Sequence, residues 1–253
     1  MGISALVITL NEERNIGECL RGLSWADEIV VVDSLSTDRT VEIARRYTDK
    51  VVLREFTGYS DQKSAALALA ANEWVLIIDA DEVVTPELAA EVRAAVERGD
   101  CDGFRIPRLT WFLDRPMRHC GWWPDYQLRL ARKAKARFPE RLVHETLVVD
   151  GPLGTLSNHL IHHSYRTLGD YMTKMVRYAD ASARQRVNEG RRFRVTDLLV
   201  RPGFSFLRMY VLKRGYLDGL HGLVLSVLTA VSVAMRGVYV WDVLRHERPG
   251  DPS

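Results

Sequence analysis

Apolar residues fall along this chain in two rhythms. Over the first hundred residues, short β-branched runs alternate with segments of helical spacing. The runs Ile3–Leu10, Glu28–Asp33, Lys50–Arg54 and Trp74–Asp79 read as strands, and the continuous Trp74-Val75-Leu76-Ile77-Ile78 reads as one buried on both faces. Between the first two runs, Ile16, Leu20 and Leu23 share one face of a helix over 11–25, with Asn11 as its cap and Glu12 and Glu13 at its positive end. Ser36 or Thr37 caps a second helix that reaches Tyr47. Ala65–Ala71 forms a third. Thr85-Pro86-Glu87 opens a fourth that Gly99 closes. Such alternation predicts an α/β domain with a mainly parallel sheet and helices on both faces.

From Gly103 the rhythm changes. Gly103–Pro107, Gln127–Ala131 and Arg137–Phe138 read as short strands joined by long loops rich in Trp, Arg and Pro. Beyond Ser164 the chain is helical, with an exposed, basic, amphipathic helix over Tyr171–Glu189. Leu198–Trp241 is strongly apolar but is interrupted by Arg201, Arg208, Lys213, Arg214 and Arg236. Its longest uncharged stretch, Gly222–Met235, is shorter than a bilayer span. Apolar and basic residues interleaved in this way predict a hairpin of helices lying in the bilayer interface, with Lys and Arg reaching to head groups. A buried helix pair, a homo-oligomer interface and a single spanning helix are the competing readings. The expected domains are 1–163, with a nucleotide-binding half over 1–103 and an acceptor half over 104–163, and a membrane-associating helical region over 164–253.

Composition sharpens this only through charge. The net charge of +2 conceals a split. Residues 1–103 hold 10 Lys/Arg against 20 Asp/Glu, and residues 104–253 hold 25 against 13. The basic half suits an anionic partner such as a phospholipid surface or a phosphorylated glycolipid. Alternatively, the two halves neutralise each other in the folded chain. With no recognised nucleic-acid motif, no nucleic-acid partner is expected. Cys19, Cys101 and Cys120 match no metal or redox spacing, and the chain opens almost at once into a strand. The expected location is therefore a reducing cytoplasm, with no secretory signal.

The chemistry-bearing residues cluster where strands end. Asp79-Ala80-Asp81-Glu82 follows the most buried strand, at the edge where open α/β sheets bind ligands. Asp79 and Asp81 can share a hard divalent cation, which keeps places open for water and substrate phosphate. Asp33 ends the second strand, and Thr9-Leu10-Asn11-Glu12 ends the first on the same rim. There is no G-x-G-x-x-G after the first strand and no Walker A loop, which excludes a dinucleotide dehydrogenase and a P-loop enzyme. His159, His162 and His163 match no strong ligand pattern.

The segments ALVITLNEERNI, EIVVVDSLSTDRTVEIA and WVLIIDADE resemble the nucleotide-binding half of family 2 glycosyltransferases, which have the GT-A fold. With GWWPDYQLRL, FPERLVHETL and LKRGYLDGLHGL, the chain is most similar to the lipopolysaccharide core β-1,4-glucosyltransferase subfamily. The resemblance implies an inverting, UDP-sugar-dependent hexosyltransferase at the inner face of the cytoplasmic membrane. Its acceptor would be a lipopolysaccharide or lipooligosaccharide inner core. Polyprenyl phosphate or a peptide is the alternative acceptor, and a non-catalytic nucleotide-binding scaffold is the alternative role. The resemblance also implies site roles. Asp33 would bind uracil, with Thr9, Leu10, Asn11 and Glu12 around base and ribose. Lys63 and Ala80 would lie near the phosphates. Asp79 and Asp81, with His144 as a third ligand, would hold Mg²⁺ or Mn²⁺. Asp125 would be the base, with Glu145 as the alternative. Trp122 and Trp123 would stack on sugar, and Arg129 would orient Asp125 or meet phosphate. The family commonly has Glu-Asp where this chain has Pro124-Asp125, which leaves Asp125 and Glu145 both open.

Overall fold

The computed structural model describes residues 1–139 and 147–246. The chain forms two compact units, Met1–Leu109 with Pro124–His163, and Thr110–Trp123 with Ser164–Ser253. The described strands are β1 (Ile3–Thr9), β2 (Glu28–Asp33), β3 (Val51–Leu53), β4 (Trp74–Asp79), β5 (Glu82–Val84), β6 (Gly103–Phe112), β7 (Arg115–Pro116), β8 (Asp125–Arg132), β9 (Ala136–Arg137), β10 (Val148–Val149), β11 (Leu153–Thr155) and β12 (Leu160–Tyr165). The α-helices are α1 (Ile16–Arg21), α2 (Thr40–Ala44), α3 (Tyr59–Leu69), α4 (Pro86–Arg98), α5 (Leu168–Asn188), α6 (Thr196–Leu207) and α7 (Gly219–His246).

In the first unit β1 lies between β2 and β4, parallel to both, and β3 extends the sheet beyond β2. β1, β2 and β4 are apolar on both faces because helices and loops cover both sides, and Val30, Val31, Leu76 and Ile78 are fully buried; at the edge strand β3, Val52 and Leu53 are exposed. The main path is β3-β2-β1-β4-β8-β6-β12-β5, with β7 and β11 also paired to β6. β3, β2, β1 and β4 run parallel to one another, and the short β11 runs parallel to β6. β8 runs antiparallel to both β4 and β6, and β12 antiparallel to β5, so the sheet is mixed rather than mainly parallel. The reason lies in the connections. Parallel neighbours need a long crossover, usually a helix, and residues 113–124 between β6 and β8 contain no α-helix.

The sequence rules for caps succeed at α4 and fail at α1 and α2. The Leu88 N–H donates to the Thr85 hydroxyl at 3.2 Å, Pro86 takes the first helical position, and Gly99 ends the helix with φ of 65°. Leu88, Val92, Ala95 and Val96 then fall on its buried face. Asn11, expected as a helix cap, instead has φ of 55° and accepts the Thr37 N–H at 2.8 Å, while α1 begins five residues later. Neither Ser36 nor Thr37 caps α2. The Ser36 hydroxyl turns back to Asp33, and Asp38 accepts the Thr40 N–H at 2.9 Å. Both misreadings have one cause. Short polar side chains satisfy whichever backbone group is nearest in space, and here that group lies across a loop rather than along a helix.

In the second unit a capping box between Thr167 and Asp170 starts α5. Its buried face is Tyr171, Met175, Ala179 and Ala183, spaced by four. The segment from Thr110 is tied to the helices of this unit by polar contacts. Asp218 accepts from the His119 backbone N–H and pairs with its ring, both at 2.8 Å, and the Cys120 N–H donates to the Lys213 carbonyl at 3.0 Å. Phe112, Met117, Met209 and Leu225 fill the core between them. Cys19, Cys101 and Cys120 are free thiols. Among the described residues one helical stretch, Gly215–His246, is long and apolar enough to cross a membrane. α7 itself measures about 42 Å at 1.5 Å per residue. Leu199, Val200 and Phe204 on α6, with Leu220 and Trp241 on α7, are exposed.

Gly222 permits the start of α7 to lie against the preceding turn, because a Cβ there would collide with the Gly215 carbonyl. Gly222→Ala should therefore cost about 1–3 kcal/mol, the usual range for overpacking. Thermal unfolding checks this, and an unchanged midpoint would mean that the Gly215 turn yields without cost.

Candidate active site

Three expected site residues share one edge by register. Thr9 pairs with Asp33 and Ile8 pairs with Asp79, so the C-terminal ends of β1, β2 and β4 lie side by side. Asp33 is fully buried and accepts the Ser36 N–H at 2.7 Å and the Ser36 hydroxyl at 2.5 Å. The Asn11 N–H donates to the same hydroxyl at 2.8 Å, and the Glu12 N–H donates to Thr40 at 2.8 Å. The loops after β1 and β2 are thus locked together. Leu10 and Leu35 stand exposed on them. The buried Thr9 hydroxyl finds no hydrogen-bond partner within the described chain.

Beyond β4 the site becomes a network of charges. Arg129 on β8 is buried and pairs with both Asp79 and Glu82, the latter at 2.6 Å. Glu82 is completely buried, and it also accepts the Asp79 backbone N–H at 3.0 Å and an Arg108 N–H at 3.3 Å. Arg108 on β6 lies directly opposite Asp125 and donates twice to one of its oxygens, at 2.7 and 3.0 Å. The Gln127 amide holds the other Asp125 oxygen at 2.7 Å. Lys63 on α3 completes the group, 3.4 Å from Asp79, with its side chain largely buried. Lys63, Asp79, Arg108, Gln127 and Arg129 line a cleft of about 140 Å³, closed on one side by Phe138 and Leu147.

Burial alone would push the Asp79 carboxyl up, but Arg129, then Lys63 and Arg108, outweigh it and hold the group well below the usual carboxylate range. Burial pushes Glu82 up; Arg129 opposes the rise and the neighbouring Asp79 charge adds to it. Arg129 shows the converse, raised by its two carboxylates against the effect of burial. Burial, with Glu82, Asp81 and Asp79 nearby, also pushes Cys19 well up, so its thiol stays neutral and is no nucleophile.

Several expectations need restating. Arg129 orients Asp79 and Glu82, and it is Arg108 that orients Asp125. Arg108, Glu82 and Gln127 are the members that the sequence reading missed. Spacing gave no signal for Arg108, because Arg105 and Trp111 also interrupt the buried positions of β6. Trp122 and Trp123 belong to the second unit. There Trp122 packs on Tyr165 and Phe112, and Trp123 lies beneath the Arg118 guanidinium. His144 and Glu145 lie outside the described residues. His162, set aside from the sequence, is 3.3 Å from Asp81.

Among the described residues no group of three or more His, Cys, Asp or Glu is arranged as a metal cluster. Asp79 and Asp81 nevertheless fit a hard divalent cation by donor chemistry. Magnesium commonly takes one or two carboxylates and fills its remaining positions with water and substrate phosphate.

A sheet-edge cleft lined by one carboxylate, an ammonium and two guanidiniums has the chemistry to receive a polar, anionic ligand. Comparison with known proteins defines its class. Residues 4–144 match glycosyl transferase family 2, and the chain belongs to that family. It is an enzyme, a glycosyltransferase acting on a sugar-nucleotide substrate. Its relatives include the lipopolysaccharide core biosynthesis glycosyltransferase LpsC of Rhizobium meliloti, 31% identical over 92% of each chain. An uncharacterized glycosyltransferase of Rickettsia typhi is 28% identical over 92% of this chain and 85% of its own. The crystal structure of S. aureus TarS 1-349 in complex with UDP-GlcNAc superposes with a TM-score of 0.52 at 16% identity. It covers 98% of this chain and 93% of that one, a likeness of fold alone.

The charge network makes a sharp stability prediction. Glu82→Gln leaves Arg129 short of a counter-charge in a buried site and should cost about 3–5 kcal/mol. Arg129→Met should cost a similar amount. The double variant should cost less than the sum, with a coupling of about 0.5–3 kcal/mol in a urea-denaturation cycle. Additive losses would show that the pair does not act as a unit.

Proposed function

We propose that this enzyme transfers a hexose, glucose from UDP-glucose, with inversion onto the inner core of a lipopolysaccharide or lipooligosaccharide. The observation that carries the reading is the shared cleft of Lys63, Asp79, Arg108 and Arg129, with Asp125 held beside it on Arg108. Three cationic side chains at one sheet edge suit a diphosphate, and a carboxylate fixed next to them suits a base. The glucose and the acceptor rest on the subfamily resemblance, and the 31% identical relative, a lipopolysaccharide core biosynthesis glycosyltransferase, agrees with a core acceptor.

In this reading the loops after β1 and β2 receive the nucleoside. Asp33 accepts an N–H from uracil through lone pairs that Ser36 does not use, since each carboxylate oxygen has two. The unpartnered Thr9 hydroxyl is the free polar atom at that edge, and burying it without a hydrogen bond is costly until a ligand supplies one. Asp79 and Asp81 would hold Mg²⁺ or Mn²⁺, which would supply Lewis-acid stabilisation of charge on the departing diphosphate. Lys63, Arg108 and Arg129 add fixed positive charge, worth more in a cleft than in water.

Asp125 then acts as general base. The acceptor hydroxyl oxygen attacks the anomeric carbon from the face opposite the nucleotide. Its proton passes to the Asp125 carboxylate, the bond from anomeric carbon to phosphate oxygen breaks, and UDP leaves with the electron pair. Arg108 and Gln127 fix the direction of the carboxylate, which is what a base needs in order to meet one particular proton. The apolar stretch Gly215–His246 and the exposed side chains of α6 and α7 support an association with the membrane, and in this reading the enzyme works at its cytoplasmic face.

The test is release of UDP from a panel of UDP-, GDP- and ADP-sugars with Mg²⁺, with and without deacylated core oligosaccharide. UDP-glucose should be turned over, and faster with acceptor. Release from a different nucleotide sugar alone would overturn the donor assignment. Asp125→Asn should lower transfer by about 10²–10⁴-fold, the usual worth of a general base, while calorimetric UDP affinity is retained. Loss of affinity instead would make Asp125 structural. Asp81→Ala should abolish Mg²⁺-dependent transfer while the fold stays intact, and a variant with full metal-stimulated activity would exclude Asp81 as a ligand.

A further inference from the structure

The helical unit contains a second cleft, of about 420 Å³, that the transfer reaction does not use. Five arginines line it: Arg186 near the end of α5, Arg191, Arg192 and Arg194 in the connection to α6, and Arg201 on α6. Asp197 is the carboxylate among the lining residues. It is already occupied, by the Arg201 guanidinium at 2.9 Å and by the Arg194 backbone N–H at 3.1 Å. Glu189 lies 3.9 Å from Arg191. The cluster therefore holds more positive charge than its own carboxylates balance. Burial, with Arg201 and Arg191 close by, lowers Arg186 from its ordinary value, the mark of a guanidinium placed among like charges.

Gathering five guanidiniums around a cavity is unfavourable without an anion to share them. Their planar forks match phosphate oxygens in pairs. The surroundings narrow the source of that phosphate. On α6, Phe204 follows Asp197 by seven residues and Arg201 by three, so it shares their side of the helix with Val200 next to it, and both are exposed. Val240 of α7 lines the cleft itself, and Val238 and Trp241 beside it are exposed. A free phosphate or a soluble nucleotide has no use for apolar side chains at the mouth of its site. An amphiphile with a phosphate head and hydrocarbon tails has.

We propose that the Arg186–Arg191–Arg192–Arg194–Arg201 cleft binds the phosphate headgroup of a membrane phospholipid, whose acyl chains lie along the exposed apolar side chains of α6 and α7. This rests on the membrane-face reading above and adds a specific recognition site to it. General apolar adhesion would hold the enzyme on any bilayer. The arginine cleft makes it select bilayers that present an accessible phosphate.

Flotation of the full chain with three kinds of vesicle tests this: phosphatidylcholine alone, with added phosphatidic acid, and with added oleate to supply negative charge without a further phosphate. Phosphatidic acid should strengthen binding beyond the oleate control, and inorganic phosphate should compete for the gain. Arg192→Glu with Arg194→Glu, both on exposed side chains, should weaken binding to phosphatidic-acid vesicles by at least about tenfold. The same variant should keep its binding to neutral vesicles and its calorimetric UDP affinity, which reports an intact fold. The milder Arg192→Gln with Arg194→Gln provides the same reading if the charge reversal does not fold. Equal binding to oleate and phosphatidic-acid vesicles would overturn the phosphate assignment. A variant that keeps the preference would overturn the site. Phosphate binding by the wild-type protein without any vesicle preference would overturn the lipid. Absence of binding to every vesicle would refute the membrane reading itself and leave the transfer assay unaffected.

Discussion

One completely buried carboxylate, Glu82, organises the polar edge of the first unit. Glu82 sits immediately after the most apolar strand, where an unpaired charge would cost several kcal/mol. Its remedy is Arg129, delivered by β8, together with Arg108, delivered by β6. Each arginine has a second partner, Asp79 for one and Asp125 for the other. The requirement to neutralise Glu82 therefore fixes the relative placement of β4, β5, β6 and β8. It also places the two carboxylates that matter most for the proposed chemistry. Asp79 and Asp125 are held as opposite arms of one network, and neither depends on a flexible loop for its orientation.

The charge split in the sequence takes on meaning here. The acidic first hundred residues are not left to repel one another. Arg108, Arg129 and Arg132, all from the basic part of the chain, enter the sheet of the first unit and meet Asp79, Glu82, Glu73 and Asp102. Part of the positive excess is spent in this way on the core of the fold. The arginines around α5 and α6 have few such partners, and that difference separates a structural use of charge from a binding one.

Much of the first unit was legible because its signals are local. Buried β-branched runs, the Thr85-Pro86 start and the Gly99 stop each depend on a few adjacent residues. The rim of Thr9, Asp33 and Asp79 was legible for the same reason, since each residue ends an apolar run that reads as a parallel strand, and the three strands are neighbours in the sheet. What escaped detection was non-local. Asn11 looks like a helix cap until the 36–37 loop is brought beside it. Glu82 looks like one more charge after Asp81, and only its burial shows that it must be paired. Arg108 is distinguished by what lies opposite it across the strand, which no spacing rule reveals. The antiparallel half of the sheet was hidden because its strands are joined by loops without a repeating pattern, so neither their order nor their direction is written in any one segment.

Strand order also bears on how the chain is made. β8 lies between β4 and β6 in space but follows both in sequence. As the protein leaves the ribosome, β1, β2 and β4 all emerge before β8, so their part of the sheet can assemble first. The outer edge of β4 then stays open until β8 arrives. An open edge next to an apolar strand invites pairing with the wrong partner. Asp79 and Glu82 lie at that edge, still without Arg129, and two unpaired carboxylates there favour water over another strand. Before they organise a site, these acids act as gatekeepers during synthesis, keeping the place of β8 free for the strand that carries their counter-charge.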